Sequence, residues 1–147
     1  MEDIVINGEC AVIRSGAVKE MLALPAQDGK RELEPLKAFS RANNVPLNIL
    51  EDTNVDNEVE VHVHMGDLWY CLEGEVTFTH GGEPVDPRSK VKKDGTIDED
   101  EIRAQEIKNG TTTILSAGDW LWIPPGVAHK HQCRGTAKLA IIKIPKG

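Results

Sequence analysis

No stretch of the 147-residue sequence approaches the length of apolar chain that crosses a bilayer, and residues 1–10 show no basic segment followed by an apolar run. A soluble, unexported protein is expected. Cysteine is scarce: Cys10, Cys71 and Cys133 share no paired spacing, and an odd count of thiols without a leader argues against a disulfide framework. Reduced thiols and a cytoplasmic location follow as expectations. Positive charge is also short, with 17 Lys and Arg against 24 Asp and Glu and a formal charge of −7. The acidic residues are spread along the chain, so neither nucleic acid nor an anionic membrane surface is expected as a partner. Internal repeats are absent, and the length is that of one ordinary domain, residues 1–147.

What is present divides at about residue 45. In residues 1–44, Ser15 is a candidate cap for a short helix, because Val18, Met21 and Leu22 share one face and Pro25 stops it. Near Pro35, a helix with Leu36 and Phe39 inward and a strand both fit. Over residues 45–147, short alternating segments are separated by turn residues, the pattern of an antiparallel all-β barrel. Pro46–Glu51 reads as a strand and Asp52–Asn57 as a turn. Glu58–His64 alternates strictly, with Val59, Val61 and Val63 on one face and Glu60, His62 and His64 on the other. Further strands are expected over 67–72 and 76–80, with Gly74 at the corner between them, and over 120–124, 128–133 and 139–144. The charge-rich stretch 83–101 reads as a solvated loop insertion. Asn109-Gly110 predicts a hairpin joining 103–108 to 111–116. Leu139–Ile144 is apolar on both faces, so its outer face is expected to pack against another sheet or subunit.

A reactive metal needs ligands fixed from several directions, and inward side chains of neighbouring barrel strands provide that. His62 and His64 sit two apart on one strand, and Asp67 follows a short Met65-Gly66 bend. A His-x-His pair alone is more often a solvent-facing pair, so the distant segment Gly118-Asp-Trp-Leu-Trp-Ile-Pro124-Pro-Gly126-Val-Ala-His129 decides the reading. The two segments together resemble the cupin superfamily. One of its motifs runs Gly, five residues, Pro-x-Gly, two residues, His, three residues, Asn; the chain keeps every spacing at Gly118, Pro124, Gly126 and His129, with Cys133 in place of Asn. The other runs Gly, five residues, His-x-His, three or four residues, Glu, six residues, Gly. It is matched at His62, His64 and Gly74, with Asp67 where the Glu ligand belongs, Asp56 in place of the opening Gly, and a gap one residue short after His64.

The resemblance implies a jelly-roll barrel, a double-stranded β-helix, preceded by a short, partly helical segment. It implies one divalent ion, Fe, Mn, Ni or Zn, held by His62, His64, His129 and Asp67, the last either as ligand or as a group orienting a histidine or water. His131, two positions past His129, is the candidate for proton transfer, with a rim histidine bonded to water as the alternative. Trp69, Cys71 and Cys133 share the inward parity and are candidate substrate contacts, although packing is the commoner use of such residues. The functional expectation is an enzyme acting on a small oxygen-rich metabolite by isomerase, lyase or dioxygenase chemistry. The alternative is a cupin that binds or senses a small molecule without turning it over. A homodimer is expected on either reading.

Overall fold

A computed structural model describes residues 4–147. The chain opens with β1 (Ile4–Asn7), β2 (Cys10–Ile13), α1 (Ser15–Leu22), β3 (Gly29–Glu32) and α2 (Leu36–Asn43). Each helix has eight residues, too few to persist alone. They hold because Ala17 and Met21 of α1 and Leu36 of α2 pack with Leu33 against Ile49. Ser15 begins α1 but does not cap it, since Arg14 takes that position and no side chain bonds there. The segment after Pro35 is helical, with Leu36 and Ser40 buried; the Ser40 hydroxyl donates to the Leu47 carbonyl at 2.6 Å.

The barrel follows as β4 (Leu47–Asp56), β5 (Val59–His62), β6 (Met65–Glu73), β7 (Glu75–His80), β8 (Glu83–Val85), β9 (Arg88–Val91), β10 (Ile97–Ala104), β11 (Glu106–Lys108), β12 (Thr111–Ser116), β13 (Trp120–Ile123) and β14 (His129–Pro145). All of these strands pair antiparallel, as the alternation predicts. The two strands expected over 128–133 and 139–144 are one 17-residue strand, β14, irregular between Cys133 and Thr136. Its first part pairs with β7 and β5, its later part with β4 and β6. One wall is therefore β12-β7-β14-β5-β10-β9, and the other is β13-β6-β14-β4-β3. Leu50, Trp69, Cys71, Phe78, Leu115 and Leu139 fill the space between them. The all-β jelly-roll expectation is met.

Three local expectations are corrected. Asp52–Asn57 is not a turn, because β4 runs through it to Asp56, held by β14 on one side and β3 on the other. The stretch 83–101 is solvated, as expected, but it is not a loop: it forms β8, β9 and most of β10, and β10 pairs with β5 so that Glu101 lies opposite His62 and Ile102 opposite Val61. Beyond that stretch, Ile102 and Ala104 of β10 and Ile107 join Val59, Val61 and Ala128 in an apolar cluster that covers the face of β5 opposite His62 and anchors β10 there. Finally, Asn109-Gly110 does not close a hairpin. β12 pairs with β7 and β11 with β8, so the dipeptide bends a long ribbon opposite Gly81-Gly82. Asn109 has φ 60°, and Gly82 (φ 64°) is required there because a Cβ would meet the Lys108 carbonyl oxygen at 2.3 Å.

Candidate metal centre

Successive inward positions on a strand are about 6.6 Å apart, so the barrel interior is built in layers. Asp67, Trp69 and Cys71 descend β6 while His129, His131 and Cys133 descend β14. The first layer joins Asp67 and His129 to His62 and Glu60 of β5. Asp67 Oδ2 lies 3.3 Å from His129 Nε2 and 3.6 Å from His62 Nε2, and His62 Nε2 is 3.2 Å from Glu60 Oε2. Ligand atoms of Glu60, His62 and His129 all lie within 4.8 Å of one another, the one such group among the described residues.

Each imidazole is oriented from behind. His129 Nδ1 donates to the Val127 carbonyl at 3.0 Å, which turns Nε2 toward Asp67. His62 Nδ1 lies 3.3 Å from Glu101 Oε1, and Glu101 is in turn paired with Arg103 and with Lys90 at 3.6 Å. Burial disfavours an imidazolium at His62, but the carboxylates of Glu101 and Glu60 outweigh it and raise its pKa to about 9. Burial likewise works against the Asp67 carboxylate, and His129 and Lys143 overcome it, holding its pKa below the ordinary range. Lys143 Nζ donates to Asp67 Oδ1 at 2.6 Å, so the two carboxylate oxygens face different neighbours.

A divalent ion, the cofactor that the resemblance implies, fits this donor set. His62 Nε2, Asp67 Oδ2 and His129 Nε2 are buried, converge, and lack hydrogen-bond partners. Unpaired buried polar atoms are costly, and two imidazole nitrogens facing carboxylate oxygens suit a transition metal. The sequence-predicted residues divide accordingly. His62, Asp67 and His129 are brought together. His64 is not brought to them: β5 ends at His62, the chain bends at residues 63–64, and the His64 side chain is 64% exposed, 3.4 Å from Asp100 Oδ1. Glu60 was not singled out, although the Glu58–His64 alternation puts it on the His62 face.

His131 occupies the second layer. Its ring is stacked on Phe78 at 5.2 Å and lies 5.4 Å from Trp69, while Nδ1 is 2.7 Å from Asp52 Oδ2 and Nε2 contacts Asn57 Nδ2. The two ring nitrogens thus face Asp52 and Asn57. Cys71 and Cys133 lie two positions deeper still, about 13 Å along their strands from Asp67 and His129. Their thiols bond to the carbonyls of Glu73, Gly74, Glu75 and Gly135, and burial raises both pKa values. Cys133 lines a cavity at that far end, so the two thiols do not share the space around His62. All three cysteines are free.

No protein-family model matches the chain, and no curated protein matches it. Solved structures do. A Salmonella typhimurium LT2 protein assigned to ethanolamine utilization as protein Q aligns with a TM-score of 0.52 and 15% identity over 98% of this chain and 94% of its own. A predicted oxalate decarboxylase from Thermotoga maritima aligns with a TM-score of 0.47 and 13% identity over 80% and 79%. The cupin domain of Drosophila melanogaster CENP-C gives 0.44 and 15% over 67% and 59%. Aligned regions span 50–60% of the length of the first solved chains it matches.

Proposed function

Because the chain folds as a cupin, we propose that it is a metal-dependent enzyme acting on a small oxygen-rich molecule. One divalent ion is held by His62, Asp67 and His129, with Glu60 as a further oxygen donor. The observation that carries this reading is the convergence of three buried, unpartnered atoms, His62 Nε2, Asp67 Oδ2 and His129 Nε2. When bound, the ion would supply Lewis-acid stabilisation of a developing negative charge on a substrate oxygen, which isomerisation and elimination need, and a redox-active ion would supply the activation of dioxygen that oxygenation needs. The chain's own residues orient and enclose. Glu101 and the Val127 carbonyl fix the two imidazoles, and Trp69 closes the pocket from below.

A second reading, a cupin that binds or senses a small molecule without turnover, is favoured by His131. Its nitrogens face Asp52 and Asn57 within the second layer, so a proton on its ring is turned toward them rather than toward a substrate at the first layer. Metal analysis of purified protein tests the common premise. His62→Ala, Asp67→Ala and His129→Ala are expected to lose most of the bound metal, while His64→Ala and His131→Gln retain it. Equal metal content in all five variants would overturn the site. Turnover that survives in His131→Gln removes that residue from proton transfer.

A further inference from the structure

A cavity of about 310 Å³ opens beside the first layer, and its walls carry Lys30 of β3, Asn48 of β4, Trp69 and Lys143 together with Glu60 and Asp67. Val45, Pro46, Leu50 and Ile141 supply its apolar surface. The volume is at the lower end of what small-molecule sites use. Its charge pattern is specific: Lys143 Nζ sits on Asp67 Oδ1, and Lys30 Nζ is 4.0 Å from Glu60 Oε1. Each ammonium is thus paired with a carboxylate of the first layer, and each side chain remains more than a third exposed.

Three carboxylates, Glu32, Glu60 and Asp67, border the cavity. With a divalent ion bound, that ion and the two ammonium groups outweigh them, and the mouth becomes attractive to an anion. Asp67 divides its two oxygens between Lys143 on one side and the histidines on the other. A ligand anchored on Lys143 is therefore within one carboxylate's width of the ion. Trp69 Nε1 and Asn48 Oδ1, on residues that line the same cavity, are buried without partners, so polar groups of the protein at this place are still unmatched.

We propose that this cavity binds a small carboxylate carrying a second oxygen function one or two carbons away, with Lys30 and Lys143 holding the carboxylate and the second oxygen turned toward the ion. The assignment rests on the metal reading above and names the ligand class of that site. Two point charges without an arginine fork suit a carboxylate that approaches end-on, and the apolar wall suits a short carbon skeleton.

The probe is malonate, with malonamide as its uncharged counterpart, titrated calorimetrically into protein whose metal content is measured in the same sample. Malonate is expected to bind and malonamide not to. Lys30→Gln and Lys143→Gln, each loaded with the ion to the wild-type content, are expected to weaken malonate binding roughly tenfold or more. Metal-bearing protein whose malonate affinity is indifferent to both substitutions, or which takes malonamide as readily, overturns the carboxylate assignment alone. Wild-type protein that carries no metal overturns the metal reading, and this assignment with it.

Discussion

Glu101 makes no contact with the proposed ion, yet its replacement is expected to weaken metal binding. The carboxylate lies 3.3 Å from His62 Nδ1 and is itself steadied by Arg103 and Lys90. It holds the ring so that Nε2 is turned toward the first layer. Glu101→Gln keeps the size of the side chain and removes its charge, so the ring loses an orienting anion and gains rotational freedom. Partners of this kind typically contribute ten- to a hundredfold in metal affinity, about 1.4–2.8 kcal/mol. Asp100→Asn is the matched control, because Asp100 faces only the exposed His64 at 3.4 Å. The assay is competition for the ion against a chelator of known affinity, with thermal unfolding of the metal-free proteins run beside it. Metal affinity of Glu101→Gln equal to that of Asp100→Asn would refute the orienting role, and with it the assignment of His62 Nε2 as a ligand.

Two further predictions concern stability and assembly. Glu51 is fully buried, and although burial works against its carboxylate, Arg31 (2.7 Å), the Gln27 N–H and Lys138 hold its pKa below the ordinary value. A depressed carboxylate pKa contributes stability above the unfolded value near 4.5 that is lost as pH falls through the folded one. Arg31→Met, with Lys138 still present, is expected to cost about 2 kcal/mol in urea unfolding at pH 7, and the gap to wild type should narrow below pH 4; a gap that is constant with pH contradicts this. On the outer face of β6, β13 and the end of β14, Trp120 is 60% exposed and packs on Tyr70 with ring centroids 4.2 Å apart and planes tilted by 40°, beside exposed Trp122 and Ile144. That face is expected to pair two copies of the chain, so sedimentation at micromolar concentration should give twice the chain mass for wild type and the chain mass for Trp120→Lys; a monomeric wild type refutes it.

The residues legible in advance are those whose role is set by nearby backbone. Gly118 turns the chain from β12 into β13, Pro124 and Gly126 form the turn from β13 that delivers His129, and Gly126 N–H donates to the His62 carbonyl at 2.9 Å, tying the two motifs together. The placement of His64 failed for the opposite reason. Strict alternation over 58–64 assumes that β5 continues, but it is the Val63 N–H bonding to Asp100 and the Lys146 N–H bonding to His64 that turn the chain outward there. Those partners lie 37 and 82 residues further on, and no local periodicity reports them. The Asp52–Asn57 reading failed similarly, since turn-forming composition yields to a strand when two neighbours supply the ladder.

The charge-rich stretch 83–101 is the most instructive misreading. Polar residues in such density cannot bury a face against apolar partners, and a solvated loop is what that composition ordinarily means. Most of the stretch does stay exposed, but at Lys90 and Glu101 it forms strands that meet polar groups of the site. Glu101 backs His62, Arg103 reaches Glu60 at 3.5 Å, and Lys90 reaches Glu101, so β9 and β10 lay a charged inner surface against the first layer while Ile102 and Ala104 pack on the outer face of β5. Over Glu101–Ala104 alternation is present, but Glu101 and Arg103, which face the site, are charged, and Ile102 and Ala104, on the other face, are apolar, the reverse of an ordinary core strand. A strand patterned that way becomes readable only once the site it faces is known to be polar.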